Sequence, residues 1–391
     1  MNAGKPVALV TGWQVTASLC FYALFASTAV LSDAFALSGF AVGLLVTGAT
    51  LGYTLALFPV GATVDALGEK PVMVGGLLAL AAGAAGVGVA PSTPLLFAAA
   101  VCLGVAYATA MPATNRAIVA SVPASYRGRA MGVKQVGVTA GSGLSALLVV
   151  GLAPQIATWH AGFFAAAAIA VVVAGLFTLA YDGSPGGDWA LPDLGGLRAN
   201  RAYVALVSAG LFLGAALFTL VGYTTLFLTD GVGASVALAG LGFAAMQVSG
   251  SLGRVVAGGL ADRLDDGNHA RASATVMLGQ VGLGIGLLVV LATADLGVVA
   301  ALVVVVLLGA TVLGFTGLFY GCMTAIVPDD EVGAATAGGQ TALNSGALVA
   351  PPAFGWLVDA ASFGMGWSLL AGCVAVGTGL LAVVRRTVGR D

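Results

Sequence analysis

Apolar stretches long enough to cross a bilayer recur along this chain with only short polar breaks between them, and no other feature limits the fold so strongly. Residues 202 to 228, 272 to 293 and 297 to 321 are three such runs, none holding an Asp, Glu, Lys or Arg. A helix needs about 20 apolar residues to span the hydrocarbon core, and there it must satisfy its own backbone hydrogen bonds. Unbroken runs select helices, because a barrel would show short segments of alternating polarity. Of the 391 residues, 59% are hydrophobic and 8% charged, with a mean hydropathy of +1.05, too little charge for a water-facing surface. The 59 glycines fit the same reading, since small residues let helix backbones approach closely in lipid.

Breaking the chain at its charged and Pro/Gly-rich punctuation predicts twelve spans: 7 to 32, 39 to 62, 72 to 90, 94 to 115, 130 to 153, 160 to 181, 202 to 228, 235 to 260, 272 to 293, 297 to 321, 334 to 357 and 366 to 384. With the N-terminus inside, Lys5, Lys70, Arg116, Arg127, Arg129, Arg198, Arg201, Arg263, Arg271, Arg385, Arg386 and Arg390 all fall on the inner side. The outer turns carry Asp33, Asp230, Asp295 and Asp359. The positive-inside rule then places both termini in the cytoplasm, and the expected location is the cytoplasmic (inner) membrane. The N-terminal stretch enters the first span without a cleavage site of signal-peptide type. Cys20, Cys102, Cys322 and Cys373 each lie inside an apolar run and read as buried small hydrophobes.

Asp182 to Arg201 is the longest polar interval, rich in turn formers, and it divides the chain into an N-terminal six-helix bundle (1 to 181), a cytoplasmic linker (182 to 201) and a C-terminal six-helix bundle (202 to 391). The halves echo one another. Gly61 and Gly258, and likewise Asp33 and Asp230, stand 197 positions apart; Pro123 and Pro328, Gly128 and Gly333, and Gln135 and Gln340 stand 205 apart. Duplication of this kind in a secondary transporter implies parallel halves with the site between them near the midplane.

Two motifs carry a family resemblance. Gly61-Ala62-Thr63-Val64-Asp65-Ala66-Leu67-Gly68-Glu69-Lys70 is expected to be a polar turn between the second and third spans, and Gly258-Gly259-Leu260-Ala261-Asp262-Arg263 follows the eighth. Both resemble the signature loop of the major facilitator superfamily. In this reading Gly61, Asp65, Lys70, Gly258, Asp262 and Arg263 form a conformational latch: the glycines permit close helix approach, and each aspartate caps or faces a helix N-terminus, where the dipole favours an anion. Ala66 and Glu69 depart from the pattern, which tends to be basic there. Pro112 to Gly143, with the later stretches Val332 to Gln340 and Pro351 to Gly355, looks like the members related to cyanate and oxalate/formate carriers. The fold implied is all-α and integral to the membrane, twelve transmembrane helices in two pseudo-symmetric six-helix bundles.

Charged groups inside a span are costly and point to function. Arg254, four residues before Gly258, is similar in placement to an arginine that holds the substrate carboxylate in oxalate/formate and monocarboxylate carriers, a task suited to a planar guanidinium fork. A second role stands open for it, reaching the interface or bracing Asp262. Lys134, near the start of the fifth span, would assist Arg254 or reach cytoplasmic water. Tyr22 and Tyr223, mid-span on the first and seventh helices, and the symmetry-related Gln135 and Gln340 would orient the anion or pack helices; Gln14, Tyr53, Tyr107, Asn115, Gln247, Tyr320 and Asn344 are the remaining polar groups of the spans. Gly250 stands where the monocarboxylate carriers place an aspartate, and neither the first nor the eleventh span has a lysine.

No Asp, Glu or His lies near the middle of a span, so proton coupling through a buried carboxylate is not expected; exchange, uniport, or symport with a protonated substrate fits better. No nucleotide-binding loop, metal cluster or nucleophile-base pair is visible, which argues against an enzyme, a metal, a cofactor or ATP-driven transport. The expectation is a monomeric secondary transporter with no nucleic-acid partner, moving a small organic anion, a carboxylate, by alternating access. The alternative is an efflux carrier for neutral or hydrophobic compounds.

Overall fold

A computed structural model describes residues 4–152, 158–189, 191, 195–328 and 331–388. Among the described residues, sixteen α-helices make twelve passes. They are α1 Gly4–Ala26 continued by α2 Thr28–Phe35; α3 Gly39–Leu67; α4 Glu69–Val89; α5 Thr93–Tyr107 continued by α6 Ala110–Ser121; α7 Ala124–Ala146, extended by a π turn Leu147–Leu152; and α8 Trp159–Ala180. The second set is α9 Arg201–Leu226 with a π turn Phe227–Gly231; α10 Val236–Leu264; α11 His269–Thr293; α12 Val298–Leu308 and α13 Thr316–Ala325 around a π turn Gly309–Leu313; α14 Val332–Gly346 continued by α15 Ala350–Ala360; and α16 Phe363–Thr387. Among the described residues, ten passes are long and apolar enough to cross a membrane. The fifth and eleventh are not among them. The fifth carries Arg127, Arg129, Lys134 and Gln135, and the eleventh is broken at Ala347, Leu348 and Val349.

The chain forms two compact units, one of Met1–Phe35, Gly48–Leu191 and Val236–Ala244, the other of Ala36–Thr47, Pro192–Ser235 and Ala245–Asp391. Corresponding helices pack in corresponding ways. In the first unit α1 lies against α7 and α8, and α4 against α8; in the second, α9 lies against α14 and α16, and α11 against α16. The closest approaches repeat as well. A side chain on Gly104 would run into the Ala49 carbonyl and one on Gly309 into the Met246 carbonyl; Gly141 lies in the same way against Val15, and Gly346 against Leu211. Gly104 and Gly309, like Gly141 and Gly346, are 205 positions apart, and Ala49 and Met246 are 197 apart, the two offsets seen in the sequence.

In the second unit, the first turn of α3 is capped by Asp359, whose carboxylate accepts from the backbone N–H of Gly39 at 2.7 Å and of Phe40 at 2.8 Å. Beside it the Tyr223 hydroxyl meets the carbonyl oxygens of Gly39 at 2.6 Å and Pro351 at 2.9 Å. Of the cysteines, Cys20 and Cys322 are buried as expected, whereas Cys102 is exposed on the helix surface.

Both signature stretches differ from the polar turns expected. The helix α3 runs through Gly61 and Asp65 to Leu67, and the chain turns at Gly68 alone, whose φ of 79° is the left-handed region glycine tolerates. In the second copy α10 continues to Leu264, so Gly258, Asp262 and Arg263 are also helical. The apolar runs ended before the helices did, because polar residues that have reached water extend a helix as readily as apolar ones.

Candidate functional site

In the first unit, α7 carries Lys134 toward α6. Its side chain is almost wholly buried, with a relative exposure of 1%, so it does not reach water. The Nζ donates to Asn115 Oδ1 at 2.6 Å and lies 3.9 Å from Met111 Sδ; among the described residues it has no carboxylate partner. On α1 the Gln14 amide donates to Ser18 Oγ at 3.1 Å, Ser18 shares a hydrogen bond with the Tyr107 hydroxyl at 3.1 Å, and Thr114 Oγ1, next in the chain to Asn115, donates to Gln14 Oε1. Phe21 stacks on Tyr107 with ring centroids 4.1 Å apart, and Tyr22 sets its edge to the same ring at 6.1 Å. Gln135 is half-buried, and its Oε1 has no hydrogen-bond partner among the described residues.

In the second unit, a polar chain runs inward from Arg254. Its stem packs on Gly317 of α13, three residues before Tyr320 on the same helix. Tyr320 donates to Gln340 Oε1 at 2.5 Å, and Gln340 Nε2 donates to Asn344 Oδ1 at 2.8 Å. Asn344 is fully buried, and its Nδ2 meets no acceptor among the described residues. The chain therefore begins at a fixed positive charge and ends on an open N–H donor, an arrangement that suits an anionic or carbonyl-bearing ligand. Tyr320 thus bonds to Gln340 and lies one turn from the Gly317 on which the Arg254 stem packs. Tyr223 is not part of this group: it is fully buried, with its hydroxyl held between two carbonyls, and in this arrangement it joins helices.

The latch residues separate into two kinds. Asp65 caps no helix; it pairs with Arg116, Oδ1 to Nη1 at 3.0 Å, and Arg116 Nε reaches Glu69 Oε2 at 3.3 Å. Glu69, fully buried, also accepts from the Tyr181 hydroxyl at 3.0 Å, the Ser184 N–H at 2.8 Å and the Ser184 hydroxyl. Arg116 Nη2 donates to the Pro185 carbonyl at 2.8 Å, and the Asp65 carbonyl accepts from Gly187 N–H at 2.7 Å, so the segment Ser184 to Gly187 is pinned to the end of α3. Lys70 forms no ion pair among the described residues and packs beside Gly183. Asp262 and Arg263 are exposed, with no hydrogen bond or ion pair among the described residues, so Asp262 is not braced by Arg254. Neither glycine marks a close approach. A side chain on Gly61 would just touch Pro112 at 4.0 Å, and Gly258 faces open space. Reasoning from sequence missed the bridging role of Arg116, because nothing local ties it to an acid 51 positions earlier.

Among the described residues no cluster of His, Cys, Asp or Glu is arranged to hold a metal.

The sequence profile of the Major Facilitator Superfamily matches residues 13–273. No curated protein matches the chain. Among solved structures it is similar to a bacterial homologue of the human lysosomal transporter Spinster. The inward-facing, occupied form has a TM-score of 0.79 at 17% identity, with 97% of each chain covered. The inward-facing, unoccupied form has a TM-score of 0.82 at 15% identity, covering 100% of this chain and 98% of the other. A variant of the nucleoside transporter NupG has a TM-score of 0.79 at 15% identity, covering 97% and 99%. The profile spans well over half of the chain and the twelve passes repeat in two sets, so the chain belongs to the Major Facilitator Superfamily, as a membrane transport protein and not an enzyme.

Proposed function

We propose that this transporter moves a small organic anion, a carboxylate, across the cytoplasmic membrane by alternating access, as a monomer with both termini in the cytoplasm and its two bundles divided at residues 182 to 201. The observation that carries the reading is Lys134, an ammonium 1% exposed and held by an amide oxygen and a thioether in place of a carboxylate. An ion kept from water without a counter-ion is costly, and a bound anion relieves that cost. Arg254 binds the carboxylate, because its planar fork donates two parallel hydrogen bonds to one such group. Gln340 and the open Asn344 amide orient the anion, and Gln135 and Tyr22 are proposed as further ligand groups. Tyr223 has its hydroxyl engaged and serves packing.

The test is counterflow of radiolabelled lactate and oxalate in proteoliposomes. Arg254→Ala is expected to lower exchange roughly 100-fold, as removal of a charge-assisted pair does, while the protein keeps its thermal midpoint in detergent. Undiminished exchange would remove Arg254 from the site. If the wild type exchanges neither anion but binds a lipophilic cation, the efflux alternative takes its place.

A further inference from the structure

We infer that the joined ends of α11 and α16 form a binding site for one anionic phospholipid, with its phosphate held by Arg271, Arg385 and Arg386 and an acyl chain laid along the glycine-bearing faces of the same two helices. The site is separate from the residues proposed for transport, and it stands whichever substrate is carried.

Arg271 lies in the first turn of α11, and Arg385 and Arg386 lie in the last turn of α16. The two helices pack along each other, and the Asn268 amide ties their ends together by donating to the Val388 carbonyl at 2.7 Å. All three arginines, with Ala382, line one cavity of about 230 Å³. Each is exposed, and among the described residues none makes an ion pair or a side-chain hydrogen bond. The acids at the end of α10 do not neutralise them. Asp265 pairs with His269 and accepts from the Gly267 N–H, while Asp262 and Asp266 are exposed and meet no cation among the described residues.

Cations in the last turn of a helix complement its dipole, which accounts for Arg385 and Arg386. Arg271 stands at the opposite kind of end, where the dipole favours an anion. Three guanidinium groups around one cavity also repel one another unless an anion sits among them. Both helices are long and apolar enough to cross a membrane, so their ends lie at the depth of lipid headgroups. A guanidinium fork matches phosphate oxygens, and a net-negative lipid suits the cluster better than a zwitterion, which brings a cation of its own.

Beyond the arginines the two helices are bare. By helical period, Gly279, Gly282 and Gly286 share the face of α11 that starts at Arg271, and Gly372 and Gly379 share the face of α16 that ends at Arg386. All five are exposed, and a side chain on any of them would meet open space, so no close approach of helices requires them. This sets them apart from Gly104 and Gly309, which face backbone carbonyls. Glycine is a poor helix former, and a shallow trough that seats an acyl chain beside the exposed Val376 and Val383 accounts for it here.

Native mass spectrometry of the detergent-purified full chain tests this, with dioleoylphosphatidylglycerol, dioleoylphosphatidylcholine and inorganic phosphate as probes. The first phosphatidylglycerol should bind at least about tenfold more tightly than phosphatidylcholine, and the triple variant Arg271→Gln, Arg385→Gln, Arg386→Gln should lose that preference. The triple variant Lys5→Gln, Arg198→Gln, Arg201→Gln removes the same charge from other exposed positions and should keep the preference within about twofold. Gly279→Leu with Gly379→Leu fills the trough. It should weaken phosphatidylglycerol about threefold or more while the thermal midpoint holds or rises, because leucine is the better helix former. Equal binding of the two lipids by the wild type, an equal loss in the control variant, or unaltered binding in the glycine variant overturns the inference. Displacement of phosphatidylglycerol by millimolar inorganic phosphate would mark a site for a free anion and overturn the lipid assignment. Should the arginine variant fail to fold, the lipid preference of the wild type and the glycine variant decide.

Discussion

The ends of α3 and α10 occupy matching places in the duplicated chain, yet among the described residues only the first is tied to another pass by ion pairs; after α10 the Asp265 carboxylate pairs only with His269, four residues on, at 3.2 Å. Asp65 and Glu69 share Arg116, with Tyr181 and Ser184 completing the shell of Glu69. At the offset of 197 stand Asp262 and Asp266, exposed and without an ion pair among the described residues. The reason lies on the neighbouring pass. The position 205 after Arg116 is Gly321, which has no charge to offer. The second copy instead begins its next helix on Asn268, whose Oδ1 accepts from the Arg271 N–H at 2.9 Å and whose Nδ2 donates to the Val388 carbonyl at 2.7 Å. By contrast, the glycine contacts recur in both units. Close backbone approach leaves no room for a side chain, so it tolerates little drift between copies, whereas charges at helix ends have water as an alternative partner.

The largest effect expected from this difference is at Glu69. Its side chain is 0% exposed, and Glu69→Ala strips Arg116, Tyr181 and Ser184 of a shared acceptor, so unfolding in detergent should become easier by about 3 kcal/mol, the cost of breaking a buried pair from one side. Glu69→Gln, which keeps an acceptor oxygen, should cost less than half of that. Equal tolerance of Glu69→Ala and Asp266→Ala would erase the contrast between the two ends.

The glycine pairs test the other side of the comparison. Gly104→Val forces its side chain into the Ala49 carbonyl and Gly309→Val into that of Met246, and each should destabilise its unit by about 2 kcal/mol through overpacking. The two values should agree within about 1 kcal/mol if the contacts are true counterparts. A large loss at one and none at the other would mean that the shared offset does not reflect a shared structural role.

Which features were legible in the sequence follows from how local their causes are. Hydropathy is a local property, so the apolar runs revealed the passes, and the two offsets revealed the duplication before any contact was seen. Lys134 and Arg254 stood out as ions within spans. Helix rotation was not legible, because a helix apolar all round does not say which face meets which neighbour. That is why Tyr223 appeared as a candidate ligand group when its hydroxyl is held by Gly39 and Pro351, and why Arg116 passed as one more basic residue at a helix end. The signature stretches misled in a similar way: their residue types suggested turns, yet one left-handed glycine, Gly68, suffices to reverse the chain.

The smallest expected effect is at Asp262, where the family motif alone would forecast a large one. Its carboxylate is exposed and meets no cation among the described residues, so Asp262→Asn removes only a solvated charge. Substitutions at such places stay within about 0.5 kcal/mol, and thermal unfolding of Asp262→Asn should be indistinguishable from wild type. Asp65→Asn gives the scale, because the carboxylate there is 61% exposed but 3.0 Å from Arg116, and a pair so open to water contributes about 0.5 kcal/mol. Asp262→Asn can still slow lactate counterflow while leaving stability untouched, and that combination would mean that Asp262 finds a partner only in another conformation of the cycle. The two helix ends would then differ in when they engage, and the open second copy would be the one that moves.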